Sequence, residues 1–255
     1  MTRFFSLPYD SGHRAVRMGN GPLRLVEALG VDATEIAPAS AWRAEIRTSF
    51  ELYRALATAI AESNDFPVVF SGNCGSAIAV ASALGTNDLA LVWFDAHGDY
   101  NSPDTTDTGF LDGMGLRILT GNAWKNLANT IPGFAPLDPK RVVHCGARDW
   151  SPGEREALLD DEVRVARHAN DATFDGIDAK RVLIHIDCDV LDPRFGRANP
   201  YACDGGLSPD ELLNVIERAK SRFEIAGLVI ASYDPSCDPE GRIVETVRRV
   251  IDAAV

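Results

Sequence analysis

Leu89-Ala-Leu-Val-Trp-Phe-Asp-Ala-His-Gly-Asp99 joins a continuous apolar run to two carboxylates and an imidazole. A strand that is apolar at every position must be covered on both faces, as in a parallel sheet flanked by helices. Four other runs share this character: Pro67–Ser71, Arg141–Cys145, Val182–Ile186 and Ile225–Ile230. Helical patterns separate them at Thr48–Glu62, Cys74–Leu84, Ser208–Arg222 and Arg242–Ala254. Ser208-Pro-Asp-Glu211 has the form of a capping box, with Pro209 suited to the first turn. Strands alternating with helices predict an α/β fold of βαβ units with functional groups at the carboxyl ends of the strands. No internal repeat or linker interrupts residues 1–255, so a single domain is expected.

Composition narrows the partners. The chain has 255 residues, 45% of them hydrophobic and 24% charged, which excludes disordered and fibrous classes. Lys plus Arg total 25 against 37 for Asp plus Glu, a net charge of −12, and no basic stripe stands out. Nucleic acid is therefore not an expected partner. No run approaches the roughly 20 apolar residues that span a bilayer, so no membrane partner is expected either. Five scattered cysteines without a Cys-x-x-Cys read as reduced thiols, and the N-terminus shows no apolar signal core. A cytoplasmic protein is the resulting expectation.

The chemistry concentrates at two strand ends. Asp95, His97 and Asp99 alternate, so a continuing strand would place them on one face. The second cluster, His185-Ile-Asp-Cys-Asp-Val-Leu-Asp-Pro193, puts Asp187 and Asp189 in the same relation before Asp192-Pro193 turns the chain. So many carboxylates at neighbouring strand ends repel one another, and divalent cations are the simplest remedy. Carboxylate with imidazole suits Mn²⁺, Fe²⁺, Co²⁺ or Zn²⁺. Two such ions sharing a carboxylate and one water would bring hydroxide within reach of neutral pH. The segments Tyr100–Gly109 and Asp192–Gly206 follow the two clusters and are long enough to be functional loops. His144 and His185 lie inside apolar runs and read as core histidines with their hydrogen bonds satisfied.

Asp95-Ala-His-Gly-Asp99 with Asn101, together with Asp187-Cys-Asp-Val-Leu-Asp-Pro193, resembles the arginase/agmatinase (ureohydrolase) family. Weaker similarities run over most of the chain. Gly19-Asn-Gly-Pro-Leu-Arg24 is similar to an early turn of that family, Ser71-Gly-Asn-Cys-Gly-Ser76 to its Gly-Gly-Asp-His-Ser segment, and Ala231-Ser-Tyr-Asp-Pro235 to its Val-Glu-x-Asn/Asp-Pro segment. The resemblance implies a three-layer α/β/α sandwich with a mainly parallel sheet and a dinuclear, manganese-type centre. One ion would be held by Cys74, Asp95, Asp99 and Asp187, the other by Asp95, His97, Asp187 and Asp189, with Asp95 and Asp187 bridging. Hydroxide would attack the central carbon of a guanidinium or amidine, with Asp99 accepting its hydrogen bond, to give urea or an analogue and an amine. Asn101 matches a position that contacts the substrate, and family members are often homo-oligomers.

Three departures bear on the substrate. Cys74 stands where the family has a histidine ligand; it is either a ligand, favouring Zn²⁺ or Fe²⁺ over Mn²⁺, or a small buried packing residue. Asp112, in Phe110-Leu-Asp-Gly-Met114, stands where arginases carry a catalytic histidine. It would serve as a proton shuttle only with a raised pKa, and could instead cap the turn beginning near Gly113. Ser232 replaces the glutamate that pairs with the guanidinium, so a fully charged guanidinium loses an anchor. Asp234, Asp238 or Glu240 could supply that charge or form an ordinary polar turn. Arg148-Asp149-Trp150 follows a strand and could line the cleft, whereas nothing distinguishes His13.

The expected activity is hydrolysis of a non-peptide C–N bond in a linear guanidine or amidine, such as a hydroxyguanidine rather than arginine. A deacetylase-like amidohydrolase is less consistent, because Asp187-x-Asp189 lacks the Asp-x-His of such enzymes. A metal-binding pseudoenzyme is the other alternative, and the survival of all the acidic ligands argues against it.

Overall fold

In the computed structural model, which describes residues 1–40, 44–168 and 170–255, eight parallel strands form one sheet. In chain order they are β1 (Thr2–Leu7), β2 (Ala33–Glu35), β3 (Phe66–Ser71), β4 (Leu89–Phe94), β5 (Val142–Cys145), β6 (Arg164–Ala166), β7 (Arg181–Asp187) and β8 (Glu224–Ala231). Their spatial order is β2-β1-β3-β8-β7-β4-β5-β6. A short antiparallel hairpin, Tyr9–Asp10 with His13–Arg14, stands apart from it.

Period-two alternation divides each strand between two cores. Leu89, Leu91 and Trp93 of β4 face one side with Leu183 and Val229, packed under α2 (Glu45–Ala61) and α3 (Ser76–Leu84). Ala90, Val92 and Phe94 face the other with Ile184 and Ile230, packed under α7 (Pro209–Arg222), α8 (Arg242–Ala254) and α1 (Gly21–Leu29). Shorter helices are α4 (Gly115–Leu119), α5 (Lys125–Ala128) and α6 (Glu154–Asp160). The three-layer sandwich with a parallel sheet is thus present. Among the described residues, no helix is long and apolar enough to cross a membrane.

Local chemistry explains the ends. In α7 the Ser208 hydroxyl accepts from Glu211 N at 3.2 Å and Glu211 Oε2 accepts from Ser208 N at 2.8 Å, the expected capping box. Gly19–Arg24, expected as a turn, is a 3₁₀ turn at Arg17–Asn20 running into α1, with Pro22 in the helix's first turn. Helix α3 is mostly apolar on all sides and correspondingly buried, with only Ala83 and Leu84 partly uncovered.

His144 and His185 are in the core, as expected; the His185 ring nitrogens have no hydrogen-bond partner, while those of His144 find only weak backbone partners at His97 and Gly98. His185 instead stacks on Trp93 with ring centroids 3.6 Å apart. Burial pushes the pKa of His185 well below its ordinary value and that of His144 down to about 4. Near pH 6.5 the unfolded chain takes up protons on these residues and the folded chain does not, so their neutral burial costs stability as pH falls below that point. His185→Leu is expected to flatten the decline of Tm between about pH 6.5 and 4.5. An unchanged decline in thermal melts would show that this ring is not its source.

Candidate metal centre

Four adjacent strands, β3, β8, β7 and β4, end level with one another. Ala231 lies opposite both Ser71 and Asp187, and Phe94 lies opposite Ile186. Each strand then hands a short polar segment to the same side of the sheet, where side chains converge. Gly72, just after β3, has to be glycine: a Cβ there would lie 2.1 Å from the Tyr9 carbonyl oxygen. This close approach directs the chain to Cys74.

The acidic segments do not continue as strands. β4 stops at Phe94, and Asp99 adopts φ 52°, in the left-handed region. Likewise β7 stops at Asp187, whose carboxylate caps the turn Cys188–Val190 by accepting from Asp189 N at 2.8 Å. Loop hydrogen bonds, not a shared strand face, therefore bring the side chains together. Asp95 Oδ1 accepts from His97 N at 2.8 Å and Oδ2 from the Trp93 indole at 3.1 Å. Asp189 accepts from Ala96 N and from Asn199 Nδ2, both at 3.2 Å. Glu154 accepts from Tyr100 N, Ser151 N and Asn101 Nδ2 at 2.9–3.1 Å, pinning the loop after Asp99.

Two groups of potential ligand atoms result, Cys74–Asp95–Asp99 and Asp95–His97–Asp189, the atoms of each lying within 4.8 Å of one another. Asp95 belongs to both. Asp187 adjoins the first group: the Cys74 thiol donates to its Oδ2 at 3.1 Å. All of these are buried except His97, which is partly exposed. Their mutual repulsion is visible in their protonation. Burial, then neighbouring carboxylates, push Asp99 and Asp187 well above the usual carboxylate range. Burial opposes a charged His97, yet hydrogen bonds to Asp189 and Asp95 raise its pKa well above normal; its Nδ1 lies 3.3 Å from Asp189 Oδ2 and 3.4 Å from Asp95 Oδ1. Burial would raise Asp189 as well, but the His97 ring outweighs it and leaves the carboxyl at about 2. The His97 ring thus lies between two carboxylates, where a positive charge would be stabilised. Oxygen, imidazole and thiol donors in this array fit divalent first-row metals.

A cavity of about 390 Å³ opens over the cluster. Its lining includes Cys74, His97, Asp99, Asp187, Asp189 and Ser232, together with Asn101 and Asp112. Asp112 does not cap its own turn. Its oxygens accept instead from Asn73 Nδ2 at 2.8 Å and Gly75 N at 3.2 Å, tying it to the Cys74 loop, while burial raises its pKa to about 7. The Ser232 hydroxyl lies 3.2 Å from the Cys74 sulfur. Asp234 is not brought to the cavity: its Oδ1 accepts from the backbone and hydroxyl of Ser236, as a polar turn. Asp238 caps α8 through Arg242 N and Ile243 N. Asp149 and Trp150 line the cavity, whereas Arg148 donates to the carbonyl oxygens of Asp189 and Cys203 at 2.7 and 2.9 Å. His13 is exposed and absent from the lining. Asn199 and Glu154 were not singled out in the sequence, because a lone Asn or Glu in a loop carries no spacing signal.

The profile of the arginase family matches residues 10–255. The chain belongs to the arginase family. It is 30% identical over 213 residues to the N(omega)-hydroxy-L-arginine amidinohydrolase of Streptomyces lavendulae, covering 82% of this chain and 75% of that protein. It is 28% identical over 202 residues to the arginase of Staphylococcus aureus strain COL, covering 72% of this chain and 65% of that relative's length. A crystal structure of arginase from Bacillus subtilis superposes with a TM-score of 0.85 at 23% identity, covering 100% of this chain and 97% of that one. That arginase-family fold accounts for the level strand ends on which the cluster stands.

Proposed function

We propose that this protein hydrolyses a non-peptide C–N bond in a linear guanidine or amidine, using two divalent cations held by Cys74, Asp95, His97, Asp99, Asp187 and Asp189. The observation that carries this reading is the shared position of Asp95 between two ligand-sized groups. Two relatives named for guanidine hydrolysis, the hydroxyarginine amidinohydrolase and the arginase, support it. Such cations, when bound, lower the pKa of water enough to supply hydroxide near neutral pH.

The protein's own groups do the rest. Asp99, buried beside the cavity, would be ionised once cations are bound and would then accept a hydrogen bond from the attacking water. Asp112, oriented by Asn73 and Gly75, lines the same space and would hand a proton to the departing amine. Trp93, Ala96 and Asn199 hold the carboxylates in place. Ser232 brings a hydroxyl, not a carboxylate, to the cavity wall, which favours a less basic head such as a hydroxyguanidine over the fully cationic guanidinium of arginine.

The test is turnover of a panel of guanidines, hydroxyguanidines and amidines by protein loaded with Mn²⁺, Zn²⁺ or Fe²⁺, reading urea-type product. Chelation is expected to abolish activity by at least about 10³-fold, with recovery on adding metal back. Undiminished turnover after confirmed removal of all metal would overturn the reading.

A further inference from the structure

The cavity above the cluster has a chemistry of its own. Among its described lining residues there is no lysine or arginine. Two arginines next to lining residues are already committed. Arg17 pairs through Nε with buried Asp10 at 2.8 Å, and Arg148 is fixed on backbone carbonyls. One neutral donor is committed too. The Asn101 amide donates to Ser151 Oγ at 3.1 Å and Glu154 Oε1 at 3.0 Å, and its oxygen accepts from Thr105 Oγ1 at 3.3 Å. Asn101, expected from the sequence to contact substrate, thus has its amide spent inside the loop. A carboxylate entering here would find no free cationic side chain among the described lining residues: His97, the one that can carry positive charge, is held between Asp95 and Asp189.

What the walls do offer is apolar. Met18, Phe110, Trp150 and Tyr201 surround the approach to the cluster. Phe110 comes from the loop after β4 and Tyr201 from the loop after β7, and their rings meet with centroids 6.4 Å apart and planes at 40°. Tyr201 is 47% exposed, an unusual position for a large aromatic ring without a partner to cover it. Asp107 and Asp149 are exposed to solvent, where their charge is screened, and Glu154 is saturated by three donors. The wall therefore has little to hold an ammonium tail.

We propose that the amine portion of the substrate is an uncharged alkyl or arylalkyl group without a carboxylate, clasped by Phe110 and Tyr201. This rests on the guanidine or amidine hydrolase reading for its head group, but not for its binding test. An aromatic or branched alkyl tail would exchange the exposed ring faces for contacts at ring-packing distance.

Calorimetric binding and turnover should be compared for 2-phenylethylguanidine, arginine and 4-aminobutylguanidine with the metal-loaded protein. The arylalkyl compound is expected to bind at least about tenfold more tightly than either, equivalent to about 1.4 kcal/mol. Tyr201→Ala should weaken that binding about tenfold, and Tyr201→Phe should restore it. Tighter binding of arginine or the aminobutyl compound overturns the proposal, as does an Ala variant that binds the arylalkyl compound as well as wild type. Tight binding of the arylalkyl compound would uphold the clasp even without turnover, whereas failure of the whole panel of guanidines, hydroxyguanidines and amidines would remove the hydrolase reading. Turnover confined to arginine would uphold the hydrolase reading and remove the clasp.

Discussion

Asp95→Ala is expected to bind neither metal ion tightly and to lose hydrolysis by at least about 10³-fold. The reason is geometric. Asp95 is common to both ligand groups, so its removal leaves Cys74 with Asp99 on one side and His97 with Asp189 on the other. Loss of an outer-shell partner alone commonly costs 10–100-fold in metal affinity, and losing a shared donor removes one contact from each ion at once. The same substitution should not unfold the protein without metal. It deletes one carboxylate from a cluster in which burial and mutual repulsion already push the Asp99 and Asp187 carboxyls well above the usual carboxylate range. Metal content by elemental analysis, read beside a thermal melt of the chelated variant, separates the two effects. Two tightly held ions in Asp95→Ala would show that the carboxylate is not shared. Asp187→Ala tests the second bridging position; Asp187 belongs to neither ligand group itself and reaches the first through its contact with the Cys74 thiol.

The parts of this molecule that could be read in the sequence are those where local pattern and tertiary demand agree. Continuous apolar runs gave the central strands to within a residue or two, because a strand buried on both faces leaves no freedom for polar residues. Helix α7 announced itself through Ser208 and Glu211. Helix α2 begins at Glu45 instead of Thr48; no side-chain cap marks its start, and Glu45 instead accepts from Leu111 N, far away in sequence. Strand β1 and edge strands β2 and β6 were missed. The two edge strands have three residues each, too few for a periodic signal, and β1 is covered only in its second half. At the site, residue types and spacing identified the acidic ligands, while the expected cause of their convergence was incorrect. A strand continuing through Asp95, His97 and Asp99 is replaced by a loop held by Glu154 and Asn199, and such long-range donors leave no spacing pattern to find. Asp234 shows the converse: its position in the motif suggested a substrate contact, but the nearby Ser236 donors satisfy its carboxylate first.

Cys74→Ala is expected to lose one of two ions, and Cys74→His to keep both while shifting selectivity toward Mn²⁺. The thiol sits 1% exposed between Asp187 and Ser232, and belongs to a ligand-sized group with Asp95 and Asp99. Burial, reinforced by Asp187 and the other carboxylates, pushes its pKa well above the ordinary thiol value. A thiolate can exist there only if a cation compensates it, so metal uptake must release a proton and should weaken as pH falls. Imidazole removes that requirement and presents a harder donor, which is why the His variant should favour Mn²⁺ and show a shallower pH dependence of binding. Substitution with Co²⁺ gives a readout independent of turnover: thiolate coordination produces a near-ultraviolet charge-transfer band, expected in the wild type and absent from Cys74→His. The competing role is that of a small core residue, and Cys74 does pack in the cluster with Ala77, Ile78 and Trp93. That role predicts no band, unchanged selectivity and two ions in Cys74→Ala, with destabilisation from a small buried cavity as the only cost. The two accounts therefore differ in spectrum, stoichiometry and pH dependence together, and the ligand role requires all three to change with this one side chain.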